Sequence, residues 1–333
     1  MAILLDRLRM HANCDTIAMC SDCKRFLVGT YELQDRAEQI RLGSLSLFTS
    51  NGNKFQLVTT CEAPAGVLDV KFRKDQPVTI DDGNECFAAA LADGTIRLGY
   101  VTHDNQVKIQ DKATLGLQQS NNKSLALSVS WSPVSLSNLE PNIAATFSSG
   151  ILHEYKLTNV ASSLVFIKEH AVSQLEIWAV LHNGQVIYTG GDDSKLRQTT
   201  TSDGGSRVIR RFESGVTTIE ADPWNEGHLL VGTYEDKLYQ FDLRMIQNSI
   251  QEVHTGGGVW RIKTNPTQSR LLAVAAMHAG AFVVDCHKET WSIKQHFTGH
   301  ESMCYGIDWW DGRTVLSCSF YDRELAMWKL EEQ

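Results

Sequence analysis

No stretch of this sequence stays apolar for long. The longest run, residues 271–277, is far shorter than the about 20 residues a membrane-spanning helix needs. Positive charge is also scarce: Lys and Arg number 31 against 39 Asp and Glu, for a net charge of −8. Sequence-independent binding to nucleic acid needs a basic surface, so no nucleic-acid or membrane partner is expected. The N-terminal residues are not expected to act as a secretory leader, because Asp6, Arg7 and Arg9 interrupt the apolar ones. Of eight cysteines, Cys20 and Cys23 form the one C-x-x-C pair, and no second pair completes a zinc site. Free thiols suit a reducing compartment, and the expected location is the cytoplasm. The sequence also lacks a G-x-x-x-x-G-K-[ST] phosphate loop, a G-x-S-x-G nucleophile elbow and a glycine-rich nucleotide loop after a strand.

What is present is a repeat. Short β-rich runs with turns between them recur along the chain, among them FLVGTYEL, CFAAALADGTIRLGYV, LLVGTYEDKLYQFD, LLAVAAMHAGAFVVD and TVLSCSFYDRELAMW. In the last and fullest copy, Gly299 and His300 lead to Asp308 and Trp309, then to Asp322 and Trp328. That order resembles a WD repeat, and the resemblance implies a β-propeller with four strands per blade. The equivalents of Trp328 are Phe48, Gly99, Tyr155, Thr199, Phe241 and Val284, at spacings of roughly 40 to 55 residues. The expectation is one all-β domain over residues 1–333, a seven-bladed WD-repeat β-propeller. The early blades carry longer insertions, around residues 51–54, 75–85 and 104–123. The last blade ends short of its outer strand. Residues 2–9 are apolar enough to supply it, so an N-terminal strand should pair with the last blade and close the ring, hiding an open sheet edge.

Comparing blades separates scaffold from candidate function. Six residues before its Trp, the WD pattern places an Asp in the turn between the second and third strands. In blades 2 to 7 that position holds Asp93, Ser149, Asp193, Glu235, His278 and Asp322. The aspartates read as loop pins. His278 differs in kind, because neutral imidazole carries one donor and one acceptor and titrates near neutral pH; it is either a substitute pin or a general base. At the start of each first strand, blades 2 to 7 place Leu68, Leu127, Trp178, Thr217, Trp260 and Tyr305. Equivalent positions form a ring, so Trp178, Trp260 and Tyr305 should face one mouth of the channel. His170, Asp192, Tyr234, His278 and Tyr321 are placed on the same side. Aromatics alone would merely plug the channel. With Glu176 and Arg261 beside them they suit a pocket for a cation, since aromatic faces attract quaternary ammonium groups. The glycine run at residues 256–258 is either a blade linker or a set of N–H donors for an oxyanion. Cys304 and Cys318 read as small buried hydrophobes.

Several stretches are more specific than a generic WD repeat: HAVSQLEIW at residues 170–178, YTGGDDSKLR at 188–197, GGVWRIK at 257–263, MHAGAFVVDC at 277–286 and CSFYDRELAMW at 318–328. Through them the chain resembles the WD-repeat diphthine methyl ester esterases of diphthamide biosynthesis, also called diphthine methyltransferases. The resemblance implies a carboxylic ester hydrolase that needs no cofactor. Its implied substrate is a modified histidine of translation elongation factor 2, bearing a trimethylammonium group and a methyl ester. Water would cleave the ester and release methanol. Chemistry and position then suggest roles. Trp178, Trp260, Tyr305 and Tyr321, with His170, would bind substrate. His278 would be the general base, oriented by Glu176. Arg261 or the amides of residues 256–258 would hold the oxyanion. The alternative is a non-catalytic adaptor holding the modified factor or another protein. A monomer is expected.

Overall fold

The computed structural model describes residues 2–73, 77–80, 83–110, 124–134, 141–158, 163–267, 270–287 and 289–331. The insertions expected at residues 75–85 and 104–123 lie partly outside the described residues. Seven antiparallel sheets follow one another along the chain; six are built from consecutive strands, and the seventh joins the last three strands to the first. Their innermost strands are Cys14–Met19, Val67–Phe72, Ala126–Trp131, Ala179–Asn183, Val216–Ala221, Arg261–Thr264 and Cys304–Trp309. The expected seven-bladed all-β propeller is therefore the observed fold, and among the described residues one 3-10 turn, Leu243–Met245, interrupts the β-structure. All seven anchors, from Phe48 to Trp328, fall on the third strand of their blade and are buried. They mark the repeat because that strand lies inside a blade, with a neighbouring strand on either edge.

The last blade shows how polar side chains fix the repeat. The indole N–H of Trp328 donates to Ser317 Oγ at 3.0 Å, and the same oxygen meets His300 Nε2 at 2.7 Å. Asp322 accepts from the Glu301 amide at 2.9 Å and from the Ser319 hydroxyl. Asp93 and Asp193 pin their own turns through Thr95 and Arg197. The scaffold reading of these aspartates follows directly. His278 is exposed in its turn, and none of the described hydrogen bonds involves its ring.

The N-terminal strand Ile3–Arg9 lies antiparallel on Glu324–Lys329, with Leu4 opposite Trp328 and Arg9 opposite Glu324. Arg7 adds a bond to the Gly299 carbonyl and an ion pair with Glu324. Ring closure thus takes the expected form. Deleting residues 1–10 removes six paired positions. At about 0.5–1 kcal/mol per ladder bond, the loss should lower the melting temperature by about 4–9 °C, read by calorimetry.

Candidate active site at the channel mouth

The inner strands turn selected side chains toward the axis by a shared device. In blade 1 the pairing steps from Cys14 to Thr16 and leaves Asp15 out of register. The same skip occurs at Leu68, Leu127, Thr217 and Tyr305 in blades 2, 3, 5 and 7. A bulged residue of this kind is freed from the ladder and re-aimed. Trp178 and Trp260 stand immediately before the inner strands of blades 4 and 6. All seven side chains line one cavity of about 290 Å³. The ring expected from blades 2 to 7 is complete, and blade 1 contributes an acid to it.

Trp260 is the hub of an aromatic wall. Its ring centroid lies 5.0 Å from Tyr305, 5.4 Å from Trp178 and 6.1 Å from Tyr234. Tyr305 continues to Phe320 at 5.6 Å, and Phe320 to Tyr321 at 5.0 Å. Tyr321 is 69% exposed and forms the outer lip. One end of the wall is acidic. The Trp178 indole N–H donates to Asp192 Oδ1 at 2.6 Å, and the Glu176 carboxyl stands beside the same aspartate. Burial and the Glu176 charge raise the Asp192 pKa, while the Trp178 bond opposes the rise. Burial, then Asp192, Tyr305 and Glu176, raise the Tyr234 phenol. Extra negative charge is therefore disfavoured at this end of the wall, and a cation there would be stabilised.

Beneath the mouth, Arg261 reaches from blade 6 to blade 2. It donates to Asp69 Oδ1 at 2.6 Å and to the Leu68 carbonyl at 3.0 Å. Asp69 also accepts from the Ser128 hydroxyl at 3.0 Å and the Val129 amide at 3.1 Å. Burial alone would raise the Asp69 pKa, but Arg261, Lys71 and these bonds hold it at about 2. Asp15, 5% exposed, faces the same guanidinium.

The structure brings some of the expected site residues together and separates others. Trp178, Trp260, Arg261, Tyr305 and Tyr321 line the cavity. Glu176 sits beside Asp192, and none of the described hydrogen bonds or ion pairs joins it to His278 as the expected orienter. His278 lies on the rim, one residue beyond the lining residue Met277. His170 is buried in the outer strand of blade 3, bonded to Glu154 at 2.6 Å and away from the cavity lining. Residues 256–258 form a tight crossing between blades 5 and 6. A Cβ at Gly257 would meet the Ala276 carbonyl at 2.4 Å, and one at Gly258 the Tyr234 carbonyl at 2.9 Å. Close packing is thus a sufficient reason for glycine there. Cys304 and Cys318 are fully buried, and burial raises the Cys304 pKa.

The fold and site define a WD-type propeller with an aromatic and acidic channel mouth. No family model matches the chain. Among curated proteins it is similar to the diphthine methyltransferases. The mouse protein is 31% identical over 84% of this chain and 63% of its own length. The human protein is 29% identical over 89% and 72%, and the Dictyostelium discoideum homologue 26% over 91% and 92%. The resemblance read from the sequence is thereby shown, and these relatives carry the names of enzymes. Among solved structures, a chain of the crystal structure of the mitotic checkpoint complex covers 99% of this chain at a TM-score of 0.73. At 12% identity it shows the fold alone.

Proposed function

We propose that this protein hydrolyses the methyl ester of diphthine on translation elongation factor 2, in the cytoplasm, releasing methanol. The observation that carries the reading is the ring at the channel mouth. Trp178, Trp260 and Tyr305 occupy matching blade positions, with Asp192 and Glu176 beside them. A trimethylammonium group cannot donate hydrogen bonds, so recognition must come from aromatic faces and nearby negative charge. Each good face contributes about 0.5–2 kcal/mol. The relatives' names supply the modified residue: diphthine. Their word "methyltransferase" fits the pathway step, while the mouth fits ester cleavage, in which water is the only co-substrate.

In this reading Trp178, Trp260, Tyr305 and Tyr321 bind the cation and its carrier loop. Arg261, committed to Asp69, sets the electrostatics of the cavity floor. His278 stands on the rim, where the incoming protein would meet it. The test is to incubate purified protein with methyl-esterified elongation factor 2, without S-adenosylmethionine, and to weigh the modified peptide. Hydrolysis lowers its mass by one methylene group. An unchanged mass with retained binding would leave an adaptor.

A further inference from the structure

We infer that Asp15 is the catalytic base of this site, taking the proton from the water that attacks the ester carbon. The assignment rests on the hydrolytic reading above and adds a residue to it. Asp15 is the blade 1 member of the mouth ring, released from the ladder between Cys14 and Thr16 and lining the same cavity as Trp260 and Tyr305. It is the only carboxylate among the seven ring positions. Its carboxyl appears in none of the described hydrogen bonds, whereas Asp69 accepts from Arg261, Ser128 and Val129.

The surroundings suit a proton acceptor. Arg261 from blade 6, Asp69 from blade 2 and Tyr305 from blade 7 face it, and the Cys14 and Cys318 thiols stand close behind. Burial pushes the Asp15 carboxyl up, Arg261 pulls it down and Asp69 raises it again, to about 7. A base of that strength is matched to neutral pH. With Asp15 protonated, the Arg261 and Asp69 charges cancel; ionised, the group carries one net negative charge. A trimethylammonium group at the aromatic wall therefore favours the ionised form and strengthens the fraction of base present when substrate is bound.

The step balances without a co-reactant. The water oxygen bonds to the ester carbon as its proton passes to Asp15. The tetrahedral intermediate collapses, the bond from carbon to the methoxy oxygen breaks, and the departing oxygen takes the proton from Asp15 to leave as methanol. The product carboxylic acid loses its proton to solvent, and Asp15 is again ionised. The rival groups are placed otherwise: Asp192 is engaged by Trp178, the Cys304 thiol is buried, and His278 is on the rim.

The experiment compares Asp15→Asn and Asp15→Glu with the parent in methanol release from methyl-esterified elongation factor 2. Asp15→Asn should lose on the order of a hundred- to ten-thousand-fold in kcat. Asp15→Glu, which keeps a carboxylate, should retain part of the rate. The parent kcat/KM should rise with pH through about 7, and its kcat profile should turn at lower pH because bound substrate is cationic. A melting curve reports on folding. A carboxyl raised in the folded state favours folding at low pH and loses that contribution as pH climbs to about 7, so Asp15→Asn should gain stability relative to the parent over that window. If the parent releases no methanol, the hydrolytic reading fails. If the parent is active and Asp15→Asn matches it, or the parent shows no limb near neutral pH, the assignment of Asp15 is overturned.

Discussion

Trp260→Ala should lower kcat/KM for methyl-esterified elongation factor 2 by about a hundredfold, most of it in KM. Trp260 packs against three other rings of the mouth, with Tyr305, Trp178 and Tyr234 all within 6.1 Å. Removing it deletes the centre of the wall and frees its neighbours to turn. One desolvated cation–π face is worth about 2 kcal/mol, and the loss of its neighbours' alignment adds a fraction of that. Trp260→Phe keeps a face with a weaker quadrupole and should lose about tenfold. Folding should be little affected, because the side chain is only partly buried and the blade's ladder does not pass through it. Steady-state kinetics on the two variants, with melting curves beside them, separates a binding wall from a structural plug. A plug would lower the melting temperature and leave kcat/KM nearly intact.

Arg261→Met should destabilise the protein by about 3–5 kcal/mol, read by urea denaturation. The guanidinium ties blade 6 to blade 2 through Asp69 and the Leu68 carbonyl, beneath the mouth. Without it Asp69 stays buried and charged, with Lys71 and two hydrogen bonds left to stabilise it. Arg261→Lys should rescue little, because an ammonium group cannot reproduce the planar fork that serves two acceptors at once. Pairing Arg261→Met with Asp69→Asn should recover part of the loss, since the orphaned charge and not the missing contact carries most of the cost. The single variant should also move the activity limb near neutral pH upward, because Arg261 is the group that holds the Asp15 carboxyl down.

The fold was legible because its anchors are local. Trp328 and its equivalents recur at near-constant spacing, and each lands on the third strand of a blade. The closing strand was legible from a deficit, an outer strand missing after Trp328 and an apolar segment at the other end of the chain. The mouth ring was legible where it carries aromatics. Its acidic member was not, because Asp15 belongs to blade 1, outside the strand starts of blades 2 to 7 that carry the aromatic pattern. The signal is present in the spacing: Asp15 and Met19 are four residues apart, as are Leu68 and Phe72. The partnership of Arg261 with Asp69 joins residues 192 apart in the chain, and no periodicity reports which charges meet across a channel. His278 shows a different limit. Its turn was placed correctly, but a turn position does not say whether a side chain leans into the channel or out to the rim. His170 fails for a related reason: its strand is the outermost of its blade, where Glu154 claims the imidazole.

The measurement that bears most directly on the aromatic mouth as an ester-cleaving site is methanol release with matched substrates. Purified protein would be given elongation factor 2 carrying the methyl ester with the trimethylated amine, and the same ester with an unmethylated amine. The structure predicts methanol from the first, at a kcat/KM well above that of the second, with loss of this preference in Trp260→Ala. Equal rates on both substrates, or no methanol from either, would contradict it.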